Sequence, residues 1–143
     1  MNFTSQICTT KEQSLRLLAL GLKKVTADCA HCYTLEEHGE YKFWDIVISD
    51  WEPYWDIDDE NIPAWSLHRL IEMLPSSLFD WYELDFSKRG IFYADFRNGS
   101  YSLFEAFAKS DKTLYDNIID CIEWLIKEGY FNKEYLEELC CKC

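Results

Sequence analysis

Near the start of the chain, hydrophobic residues recur every three or four positions, which is the period of a helix with one buried face. Thr9 offers a hydroxyl cap with Glu12 three residues later, a combination typical of a helix N-terminus. Gly21 fits the position just after a helix, because glycine readily adopts the left-handed conformation found there. The pattern therefore predicts a helix whose buried face carries Leu15, Leu18, Ala19 and Leu22.

Three more helices are predicted further along. Residues 62–75 predict a core helix with Pro63 in its first turn and Pro75 at its end. The longest pattern has a cap at Ser110-Asp111 and stops at Gly129, and Asn132 can cap a short last helix. The buried positions are Leu67, Leu70, Ile71 and Leu74, then Tyr115, Ile118, Ile119, Ile122, Leu125 and Ile126, and finally Tyr135, Leu136 and Leu139.

Between these helices the alternation of polar and apolar residues predicts strands. Ser87-Lys88-Arg89-Gly90 and Asn98-Gly99 form the turns, and Asn-Gly is the strongest short hairpin signal. A further small hairpin is predicted around Gly39. The elements together predict an α+β fold, in which three to four helices pack on an antiparallel three-stranded β-meander. Its strands are predicted at 79–87, 90–97 and 100–107.

Length and composition set the number of domains. A chain of 143 residues with 48 % hydrophobic residues is the usual size of one domain with one core. Six Trp, nine Tyr and nine Phe place it far from the composition of disordered proteins. We therefore expect a single α+β domain over residues 1–143.

The two faces of the predicted meander differ in composition. One is a core surface, while the other mixes aromatic residues with acids, as protein-binding surfaces do. Two alternatives stay open for the second face: helices cover it, or a second copy of the chain buries it. If it is free, Trp81, Tyr93 and Tyr101 are partner-binding residues. The core face would carry Tyr82, Leu84, Phe86, Phe92, Ala94, Phe96, Phe104 and Ala106, and the other Phe79, Trp81, Ile91, Tyr93, Tyr101, Leu103 and Phe107.

The formal charge of −12, from 26 acidic and 14 basic residues, narrows the choice of partners. It would repel a phosphate backbone, so we expect no direct nucleic-acid binding. It fits a basic partner protein, although the same charge also serves solubility. No segment resembles a secretory signal or is long enough to span a bilayer, so we expect a cytoplasmic chain whose seven cysteines are mostly reduced.

The stretch from Asp50 to Pro75 carries seven acidic and four aromatic residues. A calcium loop starting at Asp56 needs Gly at its sixth position and Glu at its twelfth, where this chain has Asn61 and Leu67. The loop therefore fails the EF-hand pattern, and its charge is explained by a solvated lead-in to the following helix. Its aromatic residues Trp51, Tyr54 and Trp55 are further candidates for partner binding.

Catalytic motifs are missing from the sequence. There is no Gly-x-Ser-x-Gly elbow, and each of the five glycines has a place in a turn or at a helix end, which leaves none for a phosphate loop. Two Cys-x-x-Cys pairs are the strongest metal signal, since two such pairs can make a tetrahedral zinc site. They consist of Cys29 with Cys32 and Cys140 with Cys143. No cofactor is expected, and a small metal-dependent enzyme or zinc-stabilised domain remains the alternative function.

Three segments resemble small uncharacterised proteins carried by phages, prophages and mobile elements of gut anaerobes. They are TTKEQSLRLLALGLKKVTAD, IPAWSLHRLIEMLP and CIEWLIKEGYFN. The resemblance as a whole follows most of the chain in order, and residues 29–60 fit it least well. That group has no assigned activity, so the resemblance implies an accessory protein of a mobile element and no mechanism. The favoured hypothesis is a non-enzymatic interaction protein that binds a basic host protein.

Overall fold

The computed structural model describes residues 5–35, 41–48, 61–97 and 101–138, with only the backbone described at 32–35 and 41–48. Antiparallel strands and helices together confirm the α+β class. The helices are α1 (Lys11–Ala19), α2 (Leu67–Met73) and α3 (Leu114–Glu128), with 3₁₀ turns at Lys24–Thr26 and Lys133–Tyr135. The strands are β1 (Cys29–Leu35), β2 (Tyr41–Ile48), β3 (Ile62–Ala64), β4 (Ser77–Leu78), β5 (Tyr82–Phe86), β6 (Ile91–Asp95) and β7 (Ser102–Phe107). None of the helices in the described ranges could cross a membrane, because none is long and apolar enough.

The chain divides into two compact units, one made of Met1–Arg69 with Glu134–Cys143 and the other of Leu70–Lys133. The first contains the sheet β2-β1-β3 and the second the sheet β4-β5-β6-β7. The prediction of one three-stranded sheet is therefore wrong: β5, β6 and β7 lie in the predicted ranges, but β4 joins them and a second sheet exists. Compact units can still unfold in one transition, so the single domain over 1–143 stays a prediction.

The cap of α1 is Thr10, one residue later than predicted. Its hydroxyl accepts a hydrogen bond from the Gln13 amide at 3.2 Å, and the Gln13 side chain accepts one from the Thr10 amide at 3.0 Å. The end is as predicted, since Gly21 has a φ of 101°. The buried face is different, because Leu17 is fully buried whereas Leu15 is 54 % exposed.

Residues 62–75 are not one helix, as the sequence predicts, but a short strand followed by a short helix. Strand β3 lies at the edge of the first sheet and pairs antiparallel with β1. Pro63 lacks an amide hydrogen, which is tolerated both in an edge strand and in the first turn of a helix. Because the residue fits both structures, the helix start was predicted too early in the sequence. The Ser66 hydroxyl accepts from the Arg69 amide at 3.2 Å at the start of α2, which ends before Pro75.

A buried polar network connects the segment before α1 with β1 and β3 in the first unit. The Thr9 hydroxyl lies 2.7 Å from the Ser14 hydroxyl and accepts from the Trp65 amide at 3.1 Å. His31 Nε2 lies 2.8 Å from the Thr9 carbonyl oxygen, so this nitrogen carries a proton. The Trp65 indole, fully buried, donates to the Thr26 hydroxyl at 2.9 Å. These groups satisfy one another inside the core, which gives His31 a structural role.

Helix α3 supplies much of the core of the second unit. Its cap is Thr113, whose hydroxyl accepts from the Asp116 amide at 3.2 Å, rather than the predicted Ser110-Asp111. It ends at Gly129 as predicted, with a φ of 79°. Five of the six predicted core positions are buried, namely Tyr115, Ile118, Ile119, Ile122 and Leu125, whereas Ile126 is only partly buried.

The faces of the second sheet differ from the predicted faces. Leu84 lies opposite Tyr93, and Phe86 lies opposite Ile91, so residues assigned to different faces share one face. The cause is the number of residues in the turn, because four residues between Phe86 and Ile91 pair even positions of β5 with odd positions of β6. A shift of one residue in the assumed pairing reverses the face of every side chain in a strand.

Candidate interaction surface

Seven aromatic side chains of the second unit form a continuous set of ring contacts, and the six other than Phe107 are here named the aromatic surface. They come from the turn between β4 and β5, from β5 and β7, and from α3 with the residue beyond its end. Tyr82 and Phe104 stack with ring centroids 4.4 Å apart, and Phe79 meets Phe104 edge-on at 6.0 Å. The Trp124 ring lies 6.0 Å from Phe104 and 5.6 Å from Tyr130. The aromatic surface comprises Phe79, Trp81, Tyr82, Phe104, Trp124 and Tyr130.

Several of these rings face solvent. Phe79 is 49 % exposed, Trp81 is 42 % exposed and Phe104 is 37 % exposed. Ring pairs of this kind stabilise a fold by about 0.5–1.5 kcal/mol beyond simple burial, which explains why they cluster. It does not explain their exposure, since contiguous exposed apolar area is characteristic of binding sites.

The turn that carries Phe79 is strained. Phe79 and Asp80 have φ angles of 55° and 65°, in the left-handed region that residues other than glycine seldom adopt. Each such residue costs about 1–2 kcal/mol, and strain of this kind concentrates at functional sites. The conformation places the Phe79 ring in contact with Trp81, Tyr82, Phe104 and Tyr130.

A β-bulge places Phe104 in the aromatic surface. Tyr93 pairs with Glu105 and Ala94 pairs with Leu103, which leaves Phe104 as an extra residue of β7 with no partner in β6. Bulges change the direction of a side chain at strand edges and beside functional sites. The sequence prediction assigned Phe104 to the core face because alternation along a regular strand takes no account of an inserted residue.

Arg97 makes a contact with Trp81 which shows that a ring of the aromatic surface binds a positive charge. Its guanidinium carbon lies 4.9 Å from the centroid of the Trp81 ring, in the geometry of a cation–π contact. Asp95 accepts from Arg97 Nη2 at 2.9 Å and Nε at 3.1 Å, and from the Arg97 amide at 2.9 Å. These bonds lower the pKa of Asp95 and raise that of Arg97, so both side chains are charged at neutral pH.

Acidic residues flank the rings along the chain. Asp80 lies between Phe79 and Trp81, and none of the six residues of the aromatic surface has Lys or Arg as a chain neighbour. The other flanking acids are Glu83 beside Tyr82, Glu105 beside Phe104 and Glu123 beside Trp124. These acids contribute to the formal charge of −12, which attracts cations to the protein.

The predicted partner-binding residues have different outcomes. Trp81 belongs to the aromatic surface, and Tyr101 is 54 % exposed with its ring 5.3 Å from that of Phe96. For Tyr93 the prediction is wrong: the residue is fully buried, its hydroxyl donates to the Pro75 carbonyl at 2.8 Å, and burial raises its pKa. The pairing of β5 with β6 turns Tyr93 inward. The remaining predicted residues, Trp51, Tyr54 and Trp55, lie outside the described residues.

Sequence reasoning missed Trp124 and Tyr130. Trp124 lies beside the apolar stripe of α3, and Tyr130 follows the glycine that ends the helix. A large aromatic residue next to an already complete helical stripe is a signal that could have identified Trp124, since a core-facing stripe does not require it.

Cys29, one of the four predicted zinc ligands, is a core residue. It lies in a buried cluster with Cys8 and Ala64, and burial raises the pKa of its thiol to about 12. Within the described ranges no group of three or more His, Cys, Asp or Glu side chains could hold a metal ion. Cys140, Cys143 and the Cys32 side chain lie outside those ranges.

The chemistry of the aromatic surface is therefore that of exposed rings, flanking carboxylates and one guanidinium already bound. Nothing in it supplies a nucleophile or an activated base. No protein-family model, curated protein or solved structure matches this chain.

Proposed function

We propose that this protein is a non-catalytic binding module that recognises an arginine-bearing partner protein through the aromatic surface. The observation that supports this most directly is Arg97, whose guanidinium lies over Trp81 and is held by Asp95. A guanidinium from a partner can make the same type of contact with the exposed rings of Phe79 and Phe104. Each cation–π contact contributes about 0.5–2 kcal/mol, depending on how far it is removed from water.

The net charge supports a cationic partner. A formal charge of −12 attracts a basic protein over distances of several ångströms and accelerates its association. The same charge disfavours a nucleic acid as the partner, because phosphate groups would be repelled. Charge thus brings the partner to the protein, and the rings provide short-range recognition.

From the resemblance to proteins of phages and mobile elements, we propose that the partner is a protein of the element's host. An accessory protein of such an element acts on components of its host, and a basic host protein in the cytoplasm fits the charge. The third resembling segment, CIEWLIKEGYFN, contains both Trp124 and Tyr130. Part of the aromatic surface therefore lies in a stretch that carries the resemblance.

Calorimetric titration with a flexible peptide of alternating arginine and glycine tests the proposal. We expect binding at low salt that weakens as salt is added, and at least fivefold weaker binding by Phe104→Ala, equivalent to about 1 kcal/mol. Arg97→Ala should bind more tightly, because it frees the Trp81 ring and leaves Asp95 without its guanidinium. Phe86→Ala is the matched control, since Phe86 is 56 % exposed but lies outside the aromatic surface.

Two results would contradict the proposal. One is the absence of any binding of the arginine peptide at low salt. The other is equal binding by Phe104→Ala, Phe86→Ala and the unmodified protein, since general charge attraction would then account for the affinity. A peptide with glutamate in place of arginine sets the background in both cases.

A further inference from the structure

Strand β7 forms one edge of the second sheet. In the order β4-β5-β6-β7 it pairs with β6 on one side, and no strand in the described part of the chain pairs with its other side. An edge strand of six residues presents unpaired backbone groups that can bind another strand. Natural proteins protect such edges with lysine, proline, other charges or bulges, and β7, with the sequence SLFEAF, has one acidic residue and a bulge but neither lysine nor proline.

The turn before β6 indicates which amides of β7 point outward. The Ser87 amide donates to the Gly90 carbonyl at 3.0 Å, so this is a hydrogen-bonded pair, and such pairs alternate along an antiparallel ladder. Ile91, Tyr93 and Asp95 then direct their backbone groups to β7, where their partners are Phe107, Glu105 and Ser102. Leu103 and Ala106 lie between these partners and direct their backbone groups away from β6.

The free edge and the aromatic surface are continuous, because Phe104 belongs to both. A strand added beside β7 would lie about 4.8 Å away, with every second side chain on the face that carries the rings. A long side chain such as arginine, placed at those positions, can reach the rings of Phe104 and Trp124. The intervening side chains would lie beside Leu103, which is 50 % exposed.

The net charge of the protein determines which kind of strand can bind to the free edge of β7. A second copy of this chain would bring another 12 negative charges to the same edge, whereas a cationic segment is attracted. Resting on the proposed function, we propose that an extended segment of the partner, with arginine at alternate positions, binds by adding a strand to the free edge of β7. Backbone hydrogen bonds would give affinity, and the rings would select arginine.

The experiment uses a ten-residue peptide of alternating valine and arginine with the full-length protein. Two further peptides carry backbone N-methyl groups, one on all valines and the other on all arginines. In a paired strand one set of amides points to β7 and the other points away. We therefore expect one methylated peptide to bind at least tenfold more weakly and the other to bind like the unmodified peptide.

A variant of the protein tests the same contact from the other side. Leu103→Pro removes an outward amide, which an edge strand tolerates, and Leu103→Ala removes the side chain but keeps the amide. We expect the proline variant to bind at least tenfold more weakly and the alanine variant less than threefold. If the proline variant fails to fold, the methylated peptides still decide, because they are measured on the unmodified protein.

The outcomes separate the two proposals. Equal binding of both methylated peptides, with Phe104→Ala still weakening the complex, would overturn strand addition and leave the proposed function intact. Binding that Phe104→Ala does not weaken would overturn both. A dimer in sedimentation that protects the Leu103 and Ala106 amides from exchange without peptide would assign the edge to a second copy and overturn strand addition of a partner.

Discussion

At the scale of single residues, Asp80 has a strained backbone conformation that its side-chain contacts do not explain. Its φ of 65° lies in the left-handed region, yet its side chain makes none of the ring contacts that Phe79 makes. Glycine adopts this region without the penalty, although it loses more entropy on folding. We expect Asp80→Gly to raise the free energy of unfolding by about 0.5–1 kcal/mol in urea titrations.

Asp80→Ala is the control for that measurement. Alanine removes the same carboxylate but keeps the β-carbon that causes the strain, so no comparable gain is expected. If both variants were stabilised equally, the gain would come from the lost negative charge rather than from the backbone. The aromatic surface should keep its geometry in both variants, and Trp81 fluorescence should be unchanged.

At the scale of elements, Asn117 fixes the start of α3 to two loops of the second unit. It is fully buried, and its Nδ2 donates to the carbonyls of Arg89 at 2.9 Å and Lys109 at 3.2 Å. Its Oδ1 accepts from the Lys109 amide at 3.1 Å. Asn117→Asp keeps the size and the acceptor but places a carboxyl against two carbonyl oxygens. We expect it to lower the free energy of unfolding by about 3 kcal/mol or more.

Asp120→Asn provides the comparison within the same helix. It removes an ion pair with Lys112 at 2.7 Å near the surface, which contributes about 0–1 kcal/mol. Urea unfolding of both variants should therefore differ by at least about 2 kcal/mol. A small effect of Asn117→Asp would mean that the two loops are not fixed to α3 through this side chain.

How far the sequence predicts an element depends on how many local signals agree. Helix α3 has a long apolar stripe and a glycine end, and five of its six predicted core positions are buried. Residues 62–75 gave one ambiguous signal, Pro63, which fits an edge strand and a helix start equally well. Strand β4 has only two residues, too few to show any period.

The aromatic surface was predictable only in part, for a related reason. Trp81 was selected because it is a large aromatic residue among acids. Tyr93 was selected wrongly because the face of a strand depends on its pairing, and pairing is set by turn length and bulges rather than by alternation. Phe104, Trp124 and Phe79 meet through tertiary contacts between segments distant in sequence, which no local pattern records.

At the scale of the whole molecule, the chain returns to its first unit after completing the second. Residues 134–143 belong with Met1–Arg69, and they follow α3 of the other unit. The Lys23 amide donates to the Tyr135 carbonyl at 2.9 Å, and the Glu137 amide donates to the Gly21 carbonyl at 2.7 Å. Leu22, almost fully buried, pairs with Leu136 between these two bonds. The first unit is therefore incomplete without the end of the chain.

This arrangement predicts the effect of shortening the chain. A chain ending at residue 132 loses two backbone hydrogen bonds and the cover over Leu22, so its first unit should be less stable by about 2–4 kcal/mol. A chain ending at residue 138 retains all three contacts, so its first unit should be more stable than that of the chain ending at 132. Urea unfolding followed by amide exchange of Lys23 and of buried α3 residues measures both units. If the chain is one domain, the chain ending at residue 132 should show less protection from amide exchange both at Lys23 and in α3. Protection lost at Lys23 but kept in α3 would contradict the prediction of a single domain.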